Sequence, residues 1–118
     1  GLLLDVGAGS GISTSVFGRY CDCVALDPSW ELLKKYDGNK VLGKAEKIPF
    51  PDNHFDTVVS VTSLHHADVK KALKEIFRVA KKNAKIGITI LKKSKVDLSL
   101  FNDFKKIESE KDWIFIKT

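Results

Sequence analysis

Residues 2–13 read Leu-Leu-Leu-Asp-Val-Gly-Ala-Gly-Ser-Gly-Ile-Ser, an apolar run that ends in an acid and then in three alternating glycines. Leu2, Leu3, Leu4 and Val6 suit a strand buried on both faces, and Gly7, Gly9 and Gly11 let the backbone turn sharply with nothing projecting above it. A helix can begin at Ile12. In an open α/β sheet this is where small ligands bind, beyond the carboxyl end of a strand and against the amino end of the following helix. The dinucleotide fingerprint G-x-G-x-x-G puts its third glycine where this chain has Ile12, and no Walker lysine follows.

Working outward, residues 12 to about 20 form a predicted short helix, with Ser10 or Ser13 as cap and Val16 and Phe17 toward the sheet. Residues 23–27 are a second apolar strand ending in an acid. Asp27 lies 16 residues beyond Gly11, the interval that a helix and a return strand need in a βαβ unit. Its carboxylate then stands beside the glycine loop, where it can accept both hydroxyls of a ribose. It can equally cap the Asp-Pro-Ser turn, a role for which Ser29 is also available.

Residues 30 to about 36 read as a second helix, 41–42 as a third strand and the β-branched run 57–61 as a fourth; Pro49 and Pro51 keep the preceding segment extended. From Asp68 to about Lys82 an amphipathic helix places Val69, Ala72, Leu73, Ile76, Phe77 and Ala80 on one face. Asn83, in a left-handed conformation, is expected to close it. Residues 86–91 are a fifth strand, 97–101 a helical turn, and 104–107 with 113–116 a hairpin turning at Glu110 and Lys111. The expected fold is α/β: a Rossmann-like three-layer sandwich with a mostly parallel sheet and a C-terminal antiparallel hairpin, in one domain over residues 1–118.

The chain has 118 residues, 43% hydrophobic and 30% charged, and no apolar run approaches the roughly 20 residues of a membrane span. The formal charge of +5 is carried by scattered lysines. No basic run is interleaved with aromatics, which argues against a nucleic-acid partner. Cys21 and Cys23 are too few for a disulfide framework and lack zinc-site spacing, so they read as reduced packing residues of a cytoplasmic protein. The first residue already stands inside the first strand, which suggests that helices normally preceding it are absent.

The spacing D-x-G-x-G-x-G of residues 5–11 resembles the first motif of class I S-adenosylmethionine-dependent methyltransferases. The series G-x-A-E-x-I-P-F-P-D-x-x-F-D-x-V-V-S of residues 43–60 is similar to the segment between the third and fourth strands in their small-molecule group, which includes ubiquinone and menaquinone biosynthesis enzymes. The resemblance runs from residue 2 to about 91. It implies S-adenosylmethionine as cofactor, with S-adenosylhomocysteine as product. The backbone of Gly7, Ala8 and Gly9 would approach the methionine and ribose portion, Asp5 the methionine ammonium, directly or through water, and Asp27 the ribose. Pro28 and Ser29 would edge the adenine on one side, Lys44, Ala45 and Glu46 on the other, and Ser60 and Val61 would meet the amino-acid end by their backbone. Lys44 stands where the family often has an acid, and Lys82-Asn83-Ala84-Lys85 replaces its usual Pro-Gly-Gly turn.

Leu64-His65-His66 resembles the family's border of the transfer site. A histidine with a pKa near 6.5 could take a proton from an acceptor, and either histidine could instead anchor the helix that follows. No third ligand accompanies them, so no metal site is expected. Transfer from a sulfonium needs alignment and exclusion of water more than catalytic side chains. The expected activity is methyl transfer to a small-molecule acceptor; the alternatives are a cofactor-binding module without transferase activity and a nicotinamide-dependent domain, the last disfavoured by the glycine spacing. An exposed sheet edge or pocket mouth could pair with a second copy.

Overall fold

Alternation along the first strand decides which side chains meet which layer. The computed structural model describes residues 1–118. In it β1 (Leu2–Val6) turns Leu4 and Val6 to one face and Leu3 and Asp5 to the other. Parallel to β1 run β2 (Asp22–Asp27), β3 (Lys40–Leu42), β4 (Phe55–Val61) and β5 (Ala80–Leu91), while β6 (Lys105–Glu108) and β7 (Asp112–Lys117) form an antiparallel hairpin on β5. The sheet order is β3-β2-β1-β4-β5-β7-β6. The mostly parallel sheet with its closing hairpin is therefore the expected one.

The helices follow from the crossovers. α1 (Ile12–Phe17) links β1 to β2, α2 (Trp30–Leu33) links β2 to β3, and α3 (Val69–Val79) links β4 to β5. Most of the core lies on the α3 side, where Ala72, Leu73 and Ile76 pack against Val58, Ile86 and Ile88. Phe101 stacks on Phe115 at 4.3 Å with Phe104 edge-on, under a 3-10 turn at Leu98–Phe101. Each fully buried side chain of this kind contributes about 1.5–3 kcal/mol relative to exposure. The opposite layer is thinner: Phe17 covers Leu3, Cys23 and Val59, and Tyr36 covers Ala8, Ala25 and Leu33. The Cys21 and Cys23 sulfurs lie 3.8 Å apart, and burial pushes the Cys23 thiol up to about 12, so it stays protonated as a packing group.

Several local expectations are corrected. α1 ends at Phe17, and Thr14 rather than Val16 is its buried residue, because the hydroxyl of Thr14 is drawn to the Asp5 carboxylate. Neither Ser10 nor Ser13 caps α1; its first turn starts from Gly11 in the left-handed region. α2 is a single turn. α3 stops at Val79 and passes directly into β5 at Ala80, so Asn83 is a strand residue and not a left-handed cap. Pairing with β4 explains this: Ala80 already sits opposite Phe55. No helix is long and apolar enough to cross a membrane.

Candidate functional site

At the carboxyl end of β1 the chain must reverse, and it does so through three glycines with φ of 75, 60 and 85° at Gly7, Gly9 and Gly11. They are required for different reasons. A Cβ on Gly7 would stand 2.2 Å from the Ser63 hydroxyl, and one on Gly11 would meet the Tyr36 ring. At Gly9 a Cβ would meet nothing within 4 Å, so the loop is open above this residue.

Asp27 closes the arrangement. Its Oδ2 accepts the Gly9 N–H at 2.8 Å and its Oδ1 accepts the Ser29 N–H at 2.8 Å, so two backbone donors fix the plane of a carboxylate that is only 8% exposed. A carboxylate has about four acceptor sites, which leaves capacity on both oxygens. Ser29 supplies the cap of α2, its hydroxyl accepting from Leu32 N–H. Asp27 thus orders the turn and also lines a cleft.

That cleft has a volume of about 250 Å³. Gly7 and Asp27 form its floor, Pro28 and Leu32 stand on the α2 side, and Ala45 and Glu46 come from the segment after β3. Ser63, Leu64, His66 and Ala67 close it from the end of β4. Two larger hollows, of about 520 and 480 Å³, open at the other end of the sheet around Lys81 and Lys82. The cleft is the better small-ligand site because a fixed carboxylate, an open glycine and apolar walls converge there.

The remaining residues singled out in the sequence fall in three places. Asp5 is fully buried beneath α1, where its Oδ2 accepts the hydroxyls of Ser13 and Thr14 at 2.7 and 2.8 Å while Oδ1 has no partner. Burial raises its pKa above the usual carboxylate value against the pull of the two hydroxyls. Ala8 packs inward on Ala25, and Ser60 is buried, donating to the Val6 carbonyl. Lys44 is exposed in a tight turn bridged to Lys47, outside the cleft, and Val61 is partly exposed at the tip of β4.

The two histidines separate. Both lie in a 3-10 turn, Leu64–His66, with ring centroids 3.9 Å apart, but His66 lines the cleft and His65 stands behind it. His65 Nδ1 is buried without a partner; burial, then the charges of His66 and Lys93, holds its pKa below 6.5 and favours the neutral imidazole. Neither histidine anchors α3, because Asp68 caps it by accepting from Lys71 N–H at 3.2 Å. The turn is entered through Thr62, a β-branched residue at φ 52° whose N–H bonds both the carbonyl and the hydroxyl of Thr89. Side chains of this type rarely adopt that conformation, and such strain recurs at functional sites.

The stretch Glu75-Ile76-Phe77-Arg78-Val79 resembles the family's helix before the fifth strand, but it assigns the Arg78 side chain no role. All five of its N–H groups are used: on Glu75 at 2.6 and 3.1 Å, on the carbonyls of Ile48 and Phe50, and on Asp52. Glu75 also accepts the Ile48 N–H, and its pKa is held low chiefly by Arg78. This network ties the segment carrying Ala45 and Glu46 to α3, and Glu46 itself accepts from Asp68 N–H. Arginine i, i+3 from a glutamate is common on helix surfaces, so only the fold reveals what this one holds.

Residues 4–88 match the profile of the family described as "Methyltransferase domain". The chain belongs to that family. Its methyltransferase relatives include a demethylmenaquinone methyltransferase of Renibacterium salmoninarum, 38% identical over 93 residues, covering 73% of this chain and 39% of that one. The uncharacterized protein MJ0638 of Methanocaldococcus jannaschii is 35% identical over 107 residues, covering 88% of this chain and 47% of its own length. Among solved structures, YcgJ of Bacillus subtilis superposes with a TM-score of 0.72 at 29% identity, over 76% of this methyltransferase domain and 44% of YcgJ. The chain thus spans less than half the length of these relatives.

Proposed function

We propose that the cleft binds S-adenosylmethionine and that the domain transfers its methyl group to a small-molecule acceptor. The observation that carries this reading is the Asp27 carboxylate, oriented by Gly9 and Ser29 with acceptor capacity left over, beside the open glycine. That donor set fits a ribose diol, since both hydroxyls can donate to a charged acceptor already stripped of most water. Pro28, Leu32 and Ala45 suit the flat faces of an adenine, and the loop at Gly7 and Gly9 leaves backbone free to approach the rest of the ligand. Asp5 would act on the ammonium group at one remove, through the α1 turn it holds or through water, because its carboxylate does not line the cleft.

When bound, the sulfonium supplies a methyl carbon that is already activated. The chain's own residues then have to align an acceptor and keep water out. His66, which lines the cleft, would meet an acceptor and take its proton, and His65 would act from behind it through the packed ring pair. The demethylmenaquinone methyltransferase relative and the similarity of residues 43–60 support a small molecule over a macromolecule as acceptor. A cytoplasmic location is part of the same reading.

The test is incubation with methyl-labelled S-adenosylmethionine and an extract fractionated by size. Label in the small-molecule fraction is the expected result. Label confined to protein or nucleic acid would contradict the acceptor class, and binding of NAD in place of S-adenosylhomocysteine would contradict the cofactor.

A further inference from the structure

The charge of this chain is unevenly placed. Residues 1–80 hold ten basic and ten acidic side chains, whereas residues 81–118 hold ten lysines and five acids, so the whole excess of +5 lies in the C-terminal third. Four of those lysines meet at a fault in the sheet. β4 and β5 pair at Phe55 and Ala80 and resume at Thr57 and Lys85, so residues 81–84 bulge opposite the single residue Asp56. Bulges are rare between parallel strands, and this one hollows the amino-end edge of the sheet on both of its sides.

One hollow, of about 520 Å³, is rimmed by Lys81, Lys82 and Lys85. The adjoining one, of about 480 Å³, shares Lys81 and Lys82 and adds Lys117, which the β5–β7 register sets beside Ile86, and Phe77 from the last turn of α3. Both oxygens of Asp56 are engaged, Oδ2 by Leu2 N–H at 2.8 Å and Oδ1 by Lys81 at 2.9 Å. Lys82 and Lys85 are exposed and stand outside the five ion pairs of the fold. Phe77 is 42% exposed although its helix face is otherwise buried, and it is braced edge-on by Phe104 at 5.8 Å.

We propose that this bulge is a binding surface for a short single-stranded nucleic-acid segment, with the lysines on phosphates and Phe77 under a base. A cationic groove with an aromatic platform is what single strands use. A compact phosphorylated ligand would engage the lysines and leave Phe77 idle. The surface lies at the amino ends of the strands, away from the cleft at their carboxyl ends, so it stands independently of the cofactor reading. It is also hidden from the sequence, because Phe77 and Lys117 come beside Lys81 and Lys82 only through the bulge and the hairpin.

The test is fluorescence anisotropy of a labelled oligouridylate decamer as salt is varied. With three or four phosphate contacts, log K is expected to fall against log salt with a slope of about −2 to −3. Lys82→Glu/Lys85→Glu is expected to weaken binding at least about tenfold through lost phosphate contacts, and Phe77→Leu about fivefold or more even at high salt through lost stacking. The control pair Lys34→Glu/Lys35→Glu, exposed near α2, is expected to change binding less than about twofold, since it touches no phosphate. Circular dichroism checks that each variant is folded. No binding, equal loss from both lysine pairs, or displacement by pyrophosphate with no effect of Phe77→Leu would overturn the proposal.

Discussion

At the carboxyl ends of the strands, polar groups are held by the backbone of the fold: Asp27 by Gly9 and Ser29, and the hydroxyls of Ser60 and Ser63 by the Val6 carbonyl. At the amino ends, around the bulge, Lys82 and Lys85 reach into water with no partner. One edge is preorganised and nearly dry; the other is cationic and loose. The difference separates two kinds of recognition, because a fixed carboxylate can select a ligand by geometry, whereas free lysines act through charge that salt screens. Each edge should therefore answer to different perturbations.

The largest expected effect is at the strut between the two edges. Arg78→Ala removes five hydrogen bonds and leaves Glu75 half-satisfied, and should destabilise the domain by about 2–4 kcal/mol in urea unfolding. Because the same network holds the Ala45–Glu46 wall, S-adenosylhomocysteine binding should weaken as well, with Arg78→Lys only partly restoring either property. Retained affinity in a destabilised Arg78→Ala protein would show that the wall is set elsewhere.

Next come the glycines of the carboxyl edge. Gly7→Ala should cost about 1–3 kcal/mol of stability, since its methyl overlaps the Ser63 hydroxyl. Gly9→Ala meets no atom and should cost only about 1 kcal/mol from the left-handed backbone, while lowering ligand affinity by a larger factor than Gly7→Ala does per unit of stability lost. Urea melts with parallel ligand titrations separate the two; equal behaviour would mean that the space above Gly9 is not the ligand's.

A smaller effect is expected at His65. Its folded pKa lies below 6.5, so the native state binds fewer protons than the unfolded chain; its contribution to stability is complete above about pH 6.5 and is lost as pH falls through the folded value. His65→Gln should flatten that part of the stability–pH curve. An unchanged curve would show that burial at His65 is not what sets the acid limb. Smallest of all, Lys82→Glu/Lys85→Glu should move stability by no more than about 0.5 kcal/mol and leave S-adenosylhomocysteine affinity unchanged, as expected for exposed, unpaired charges.

The same contrast explains what the sequence discloses. The carboxyl edge is written in contiguous stretches: residues 2–11 carry the strand, the acid and the turn, and Asp27 follows at a helix-plus-strand interval. The mostly parallel sheet and its closing hairpin are legible for the same reason, since helix and strand segments alternate along the chain until the last two strands. What the sequence leaves open depends on how each segment turns and packs. Asp5 stands in the motif, but Ser13 and Thr14 hold it under α1. Lys44 matches a family position, yet its turn carries it out of the cleft. Leu32 and Ala67 line the cleft with no chemical signature to mark them. The helix ending foreseen at Asn83 fails because β4 captures Ala80 first, a tertiary pairing that local propensity does not contain.

The central claim is that Asp27 grips the sugar of an adenosine ligand at the glycine loop. Calorimetric titration of S-adenosylhomocysteine into the wild-type chain and Asp27→Asn tests it most directly, with urea unfolding of both to register any loss of the Gly9 and Ser29 bonds. The wild type should bind, and Asp27→Asn should lose about 1–3 kcal/mol of binding free energy, roughly 5- to 150-fold in affinity, through the charge-assisted bonds it gives up. Equal affinity in the two proteins, or no binding to a folded wild type, would contradict the account.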